Sequence, residues 1–215
     1  MNCKISAFTL AACMLFLSAA GVVHASDVAK RLQKHYETIE SFQAGFVQIL
    51  TNASTKEQEE RVGSVSFQKP LNVRWESTSP EEELLLIDQD TVLNYFPQEN
   101  ALYRYETDEV LTSRNMIRFI SGQARLTQDF QVEDQDMEHG LHKIKLIPKN
   151  PEPDLVMAYI WSDDEGMMRR ILLVDFFGNG NELRLKDIEL NPEFEKDFFS
   201  FEPPEDVEVI ENHEP

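Results

Sequence analysis

Acid–base, nucleophilic or metal chemistry in this chain would have to come from its histidines, carboxylates and cysteines. Past the first 25 residues the histidines are His35, His139, His142 and His213. His35 lies beside the apolar side of an expected helix, where a packing role fits its neighbours. His139 and His142 flank an expected hairpin turn, a spacing that gives only a weak metal pair. His213 falls in a polar C-terminal tail expected to be disordered. Asp and Glu number 39, too many for any two to stand out as an acid/base couple. Asp163-Asp164-Glu165 reads as a turn and lacks the spacing of a calcium loop. There is no GxSxG, HExxH, P-loop or dinucleotide-binding glycine pattern. The expectation is a protein that is not an enzyme, with no catalytic residue, no metal and no cofactor.

The chemistry the chain does advertise is apolar. In GSVSFQKPLNVRWEST (Gly63–Thr78), Val65 and Phe67, then Leu71, Val73 and Trp75, alternate with Ser64, Ser66, Asn72, Arg74 and Glu76. That pattern makes two strands joined at Lys69-Pro70, with one wet face and one greasy face. Phe42, Phe46, Leu85, Tyr95, Met157, Trp161 and Phe176 add large residues to the same kind of face. Periodicity does not distinguish a packed core from a face that meets a ligand. A curved sheet with few helices leaves an interior that either side chains or a ligand must fill.

The first residues stand apart from that sheet. Lys4 precedes a nearly uncharged run, Ile5–Val23, ending in Val-His-Ala. This reads as a secretory signal cut after Ala25, leaving 26–215 as one domain. The run is long enough for a retained membrane anchor, but its terminal position and small-residue end favour cleavage. Leu10-Ala11-Ala12-Cys13 also fits a lipobox, which would lipidate Cys13 but begin the mature chain with a greasy tether. Cleavage after Ala25 removes both cysteines, so the mature chain would use no disulfide in a compartment that permits them. It also removes one lysine and no acid, taking the net charge from −19 to −20. Such a chain is repelled by nucleic acid and by anionic membrane surfaces, and no nucleic-acid partner is expected.

The positioning elements follow from period and punctuation. Asp27–Glu40 is helical, with Val28, Leu32, Tyr36 and Ile39 on one side. At Ser41 the period shortens to two. Strands and tight turns then continue to Leu190, where Leu183 and Leu185 change phase to Ile188 and Leu190, predicting a β-bulge near Asp187. A second helix interrupts them, capped by Thr112 or Ser113 and ended by Gly122. About eleven strands with local connections and two or three helices predict a mainly β protein with helices (α+β). Its sheet is an unclosed antiparallel β-barrel with a lid of short helices.

Several pieces recur in a fixed order: SFQAGFVQ (Ser41–Gln48), G-x-V-x-F-x-K-P-x-x-x-R-W (Gly63–Trp75), Pro80, Tyr95-Phe96-Pro97, Leu146–Lys149, Asp175-x-x-Gly178-Asn179, and Asn191 followed by Phe199–Pro204. In order and spacing the chain resembles the outer-membrane lipoprotein carriers of the LolA family, which are periplasmic chaperones. The resemblance implies a half-barrel under a helical lid that shields lipoprotein acyl chains and carries them across the periplasm. The implied partners are lipidated lipoproteins, an inner-membrane ABC transporter complex and an outer-membrane acceptor lipoprotein, with the carrier acting as a monomer. Trp75 and Val73 stand at the matching cavity positions, with Leu50 and Leu85 next. Phe42 joins the acyl-binding candidates or the helix–sheet seam, and Met116, Ile117 and Ile120 form the underside of the lid. The family usually has Arg where this chain has Lys69, and that Arg hydrogen-bonds lid-helix carbonyls. Lys69 keeps the charge without the planar five-donor fork, so a looser or differently latched lid is expected. Gln89, where many relatives have Gly, implies a different turn. Two other readings remain open: a lipidated LolB-like acceptor, and a periplasmic sensor or structural half-barrel that binds a protein regulator.

Overall fold

The structure, a computed structural model, describes residues 25–107 and 115–211. The expected signal up to residue 24, Cys13, the caps Thr112 and Ser113, and His213 lie outside the described residues. Helix α1 (Ala25–Thr38) runs directly into strand β1 (Ser41–Thr51). Then come β2 (Gln58–Gln68), β3 (Asn72–Ser79), β4 (Glu83–Ile87), β5 (Thr91–Phe96) and β6 (Ala101–Glu106). Two short helices, α2 (Asn115–Ile120) and α3 (Leu126–Asp129), precede β7 (Phe130–Asp134), β8 (His142–Pro148), β9 (Met157–Ser162), β10 (Met168–Val174) and β11 (Gly180–Leu190). The last strand is β12 (Glu208–Glu211).

All twelve strands lie in one sheet, ordered β12-β6-β5-β4-β3-β2-β1-β11-β10-β9-β8-β7. Its two ends do not pair with each other, so the barrel is unclosed as expected. Every neighbouring pair is antiparallel except β12 with β6, which is parallel. That strand was not anticipated: a short, exposed strand after Pro203-Pro204 has no alternation to betray it. The predicted bulge is present. Gln43 faces Glu189 but Gly45 faces Lys186, and Asp187 takes a φ of 50° to absorb the extra residue. At the β4–β5 turn the Asp88 carboxylate accepts from the N–H groups of Asp90 and Thr91 at 2.8 and 2.7 Å, so the turn forms without glycine at Gln89.

One face of the sheet is lined by the alternating residues read from the sequence. Phe42, Phe46, Val65, Phe67, Val73, Trp75, Leu85 and Ile87 are all buried. Phe42 and Phe67 rings lie 5.7 Å apart, and Phe46 and Trp75 4.3 Å apart. The second stack needs Gly63. A Cβ there would stand 1.8 Å from the Glu76 carbonyl oxygen and 2.8 Å from the tip of Phe46. The glycine lets β2 and β3 approach under the aromatic pair. Helix α1 covers the α3, β7 and β8 side of this face through Leu32 and Tyr36. Gln33 accepts from Leu126 N–H at 3.0 Å, and a Cβ at Gly122, where α2 ends, would sit 3.1 Å from Tyr36 Cβ. The three helices therefore pack as one layer.

Four assignments of large residues change, two of them because Met157 and Trp161 lie on the outer face of β9, opposite Ala158 and Ile160. Phe176, expected on the apolar face, is 74% exposed beside Phe177 at 79%, because β10 stops at Val174 and Asp175 begins a turn. Tyr95 points outward and stacks on Phe201 at 4.9 Å. Phe201 belongs to the segment that leaves β11 and returns to β12 over the outer surface. Arg74 donates to the Phe198 carbonyl at 3.0 Å and lies over its ring, and Phe198 stacks on Phe194. Asn191 starts this segment by accepting from Glu40 N–H at 2.9 Å.

Another outer-face cluster surrounds the buried Trp161, which sits between Lys143 Nζ at 4.8 Å and the Arg170 guanidinium at 4.0 Å. Glu138 ties both cations, at 2.9 and 3.2 Å. Lys143 above all, then the Trp161 indole N–H, with the Arg170 charge adding the smallest share, holds the Glu138 carboxyl below the usual carboxylate range.

Gly63→Ala is expected to destabilise the fold by at least the ~1–3 kcal/mol typical of overpacking, measured as a lower urea midpoint. Because Glu138 is lowered in the folded state, its contribution is complete above pH ~4.3, the ordinary carboxylate value, and fades as pH falls through the lower folded-state value. Glu138→Gln should flatten that acid limb in urea midpoints taken from pH 7 to pH 3.

Candidate functional site

The concave face is not filled from end to end. Beyond the Phe46–Trp75 stack it opens into a cavity of about 740 Å³. Its apolar lining is Leu50, Trp75, Leu85, Leu173, Met116 and Ile117, and Gln48, which donates to Asn181 Oδ1 at 2.9 Å, adds a polar strip on the same sheet face. Each has a clear origin. Leu50 is near the far end of β1, and Trp75 and Leu85 are register partners on β3 and β4. Met116 and Ile117 come from the first turn of α2. Arg118 holds α2 in place, donating to Asn115 Oδ1 at 2.8 Å and to Glu152 at 3.0 Å in the loop before β9.

The rim is polar and acidic. Glu57, Glu59, Glu83, Asp154 and Asp175 border it against one lining cation, Arg61, which is paired with Glu59 and, at 3.3 Å, with Glu83. Two loops are stapled together at the mouth. Asp175 takes Asn179 N–H and Nδ2 at 2.8 Å each, and Asn179 Oδ1 accepts from Ala53 N–H at 3.0 Å in the β1–β2 turn. Gly178, with φ of 81°, allows the sharp bend. An apolar floor under a charged rim suits an amphiphile, with its tails below and its polar part in water.

Of the nine residues nominated from the sequence, Leu50, Trp75, Leu85, Met116 and Ile117 line this cavity. Phe42, Val73 and Ile120 do not; all three are completely buried in the packed core next to it. Phe42 faces Phe67 on β2 and Leu190 on β11. Leu173 was missed, although its alternation with Ile171 on β10 carries the same signal as Val73 and Trp75.

Lys69 lies elsewhere. It sits in the β2–β3 turn, at the end of β1 and β2 opposite the mouth, roughly 30 Å along the strands at ~3.3 Å per residue. Its Nζ donates to the Glu37 carbonyl at 2.8 Å and to Glu40 Oε1 at 3.1 Å. Glu37 is in the last turn of α1, where a cation meets the negative end of the helix. His142 pairs with Asp164 at 2.8 Å, while His139 points into solvent. Asp163 is occupied by Met167 N–H and Arg169, both at 2.8 Å, as a turn residue would be. Among the described residues no group of His, Cys, Asp and Glu is arranged to hold a metal, and no helix is long and apolar enough to cross a membrane.

The chain matches the family model described as outer membrane lipoprotein carrier protein LolA over residues 37–202. It is 28% identical over 185 residues to the outer-membrane lipoprotein carrier protein of Nitrosomonas europaea, covering 86% of this chain and 89% of that one. It is 26% identical over 202 residues to the protein of the same name from Bordetella avium, covering 94% and 95%. The fold is similar to that of an uncharacterized conserved protein from Thermus thermophilus, with a TM-score of 0.57, 15% identity, and 87% of this chain and 99% of that one covered. It is also similar to Mycobacterium tuberculosis lipoprotein LppX, with a TM-score of 0.53, 12% identity, and 80% and 97% covered. The half-barrel, its helical lid and the ordered motifs thus have one source: the chain belongs to the LolA family of outer-membrane lipoprotein carrier proteins.

Proposed function

We propose that this protein is a periplasmic chaperone that holds the acyl chains of lipoproteins in its cavity. It takes them from an inner-membrane ABC transporter and passes them to an acceptor lipoprotein at the outer membrane. The observation that carries the reading is the cluster of apolar residues lining the cavity, Leu50, Trp75, Leu85 and Leu173 from the sheet with Met116 and Ile117 from α2, beside an acidic rim. Each CH₂ shielded from water contributes about 0.8 kcal/mol, so a modest cavity holds a chain that would otherwise stay in a membrane. Delivery requires that the chain also leave, which favours a shallow, openable site over a sealed one. Leu50, Trp75 and Leu85 would meet the acyl chain, with Met116 and Ile117 above it. Displacement of the helices would extend the floor to Val73 and Phe42 and expose Ile120 on the underside of α2. Lys69 would act at the far end, fastening the last turn of α1 to the sheet, with one carbonyl contact and an exposed ion pair as a weak latch.

Native mass spectrometry tests the reading. The protein mixed with a membrane-extracted lipoprotein should give a soluble one-to-one complex, and the deacylated lipoprotein should give none. Leu50→Glu, at the half-exposed end of the floor, should weaken the complex at least tenfold, ~1.4 kcal/mol. Absence of any complex would favour a half-barrel that binds a protein regulator, and a mature mass lipidated at Cys13 would favour an acceptor. For Lys69→Ala, hydrogen exchange should speed up in the last turn of α1 and bound lipoprotein should be released sooner. Unchanged exchange and release would remove Lys69 from the mechanism.

A further inference from the structure

Phe176 and Phe177 are adjacent, 74% and 79% exposed, and packed edge to face on each other at 5.7 Å. Two neighbouring phenyl rings in water are a costly surface unless something covers them. Their backbone is not free to fold them away. Besides the Asp175–Asn179 bonds across the turn, Phe176 N–H donates to the Pro153 carbonyl at 3.1 Å and Gly178 N–H to the Asp175 carbonyl at 3.0 Å. With the Ala53–Asn179 bond, the turn is fixed to two neighbouring loops. Asp175, Asn179 and Gly180 of the same turn border the cavity. The rings therefore form a two-ring projection on a fixed backbone at the rim of the mouth.

We infer that Phe176 and Phe177 are a docking plug that inserts into an apolar socket, framed by Lys and Arg, on the partner protein exchanging lipoprotein through this mouth. That partner's role rests on the carrier reading of the cavity. The charge around the mouth that the rings adjoin selects a protein over a bilayer. Glu57, Glu59, Glu83, Asp154 and Asp175 surround the mouth, and Arg61 is already paired with two of them. An anionic lipid surface repels this ring of carboxylates, whereas a basic frame around an apolar pocket complements both parts. Rigid aromatic side chains that lose little freedom on burial are well suited to anchoring such a contact.

The test is co-sedimentation of the unloaded protein with sheared envelope membranes from the same cells. Two comparison samples are used: the membranes after protease shaving, and liposomes made from their extracted phospholipid. Wild type should sediment with the untreated membranes, less so at raised salt, and with neither comparison sample. The double variant Phe176→Ser, Phe177→Ser should bind at least tenfold more weakly with an unchanged melting temperature, since neither ring packs in the core. Equal binding by the double variant, or no binding by wild type, overturns the inference. Wild-type binding to the liposomes as strong as to the membranes overturns it in favour of bilayer insertion. Lipoprotein loading is read separately by native mass spectrometry: membrane binding without loading would sink the carrier reading and leave the plug, and the converse would sink the plug alone.

Discussion

Everything in this molecule depends on a sheet that curves but does not close. Among the described residues twelve strands bend around an apolar face, and the helices described leave part of it lining a cavity. The Phe46–Trp75 stack divides that face. On one side Phe42, Phe67 and Val73 pack without gaps under the helices; on the other Trp75 turns its ring to an empty space. The division exists because Gly63 carries no side chain, so two strands and two rings share a volume that one methyl group would disrupt. A motif glycine in a strand is thus explained by the wall it permits.

The two ends of the long β1–β2 hairpin do different work. At one end lies the acidic mouth, with loops stapled by Asn179. At the other, Lys69 meets the carboxyl end of α1. Helix α1 touches α3, and α2 ends against Tyr36 of α1, so the helical layer connects a fastening at one end to a cover at the other.

Much of this was legible in the sequence wherever one side of an element faces water. Alternation located β1 to β3 and β11, and the phase slip from Leu185 to Ile188 located the bulge at Asp187. Leu50, Trp75 and Leu85 were reachable through the family pattern, because periodicity names the face and not the part of it left empty. Periodicity also could not separate Val73, buried in packed core, from Trp75 two residues on at the cavity wall. Strand β12 was invisible because it is held by backbone bonds to β6 and not by side-chain pattern. Phe176 was misread because an aromatic after a strand looks like more strand until Asp175, Gly178 and Asn179 are seen to form a turn.

The return from β11 to β12 has a consequence for how the chain is made. Among the described residues the outer edge of β6 is paired by residues 208–211, brought there by the belt of Phe194, Phe198 and Phe201 across the convex surface. That edge therefore waits for a segment that follows β6 only after five further strands of the chain. During biogenesis the protein exposes a ready template for another strand for longer than its finished form suggests. The other edge, β7, is only five residues long and ends in Glu133 and Asp134, which guard it by charge from the moment it forms.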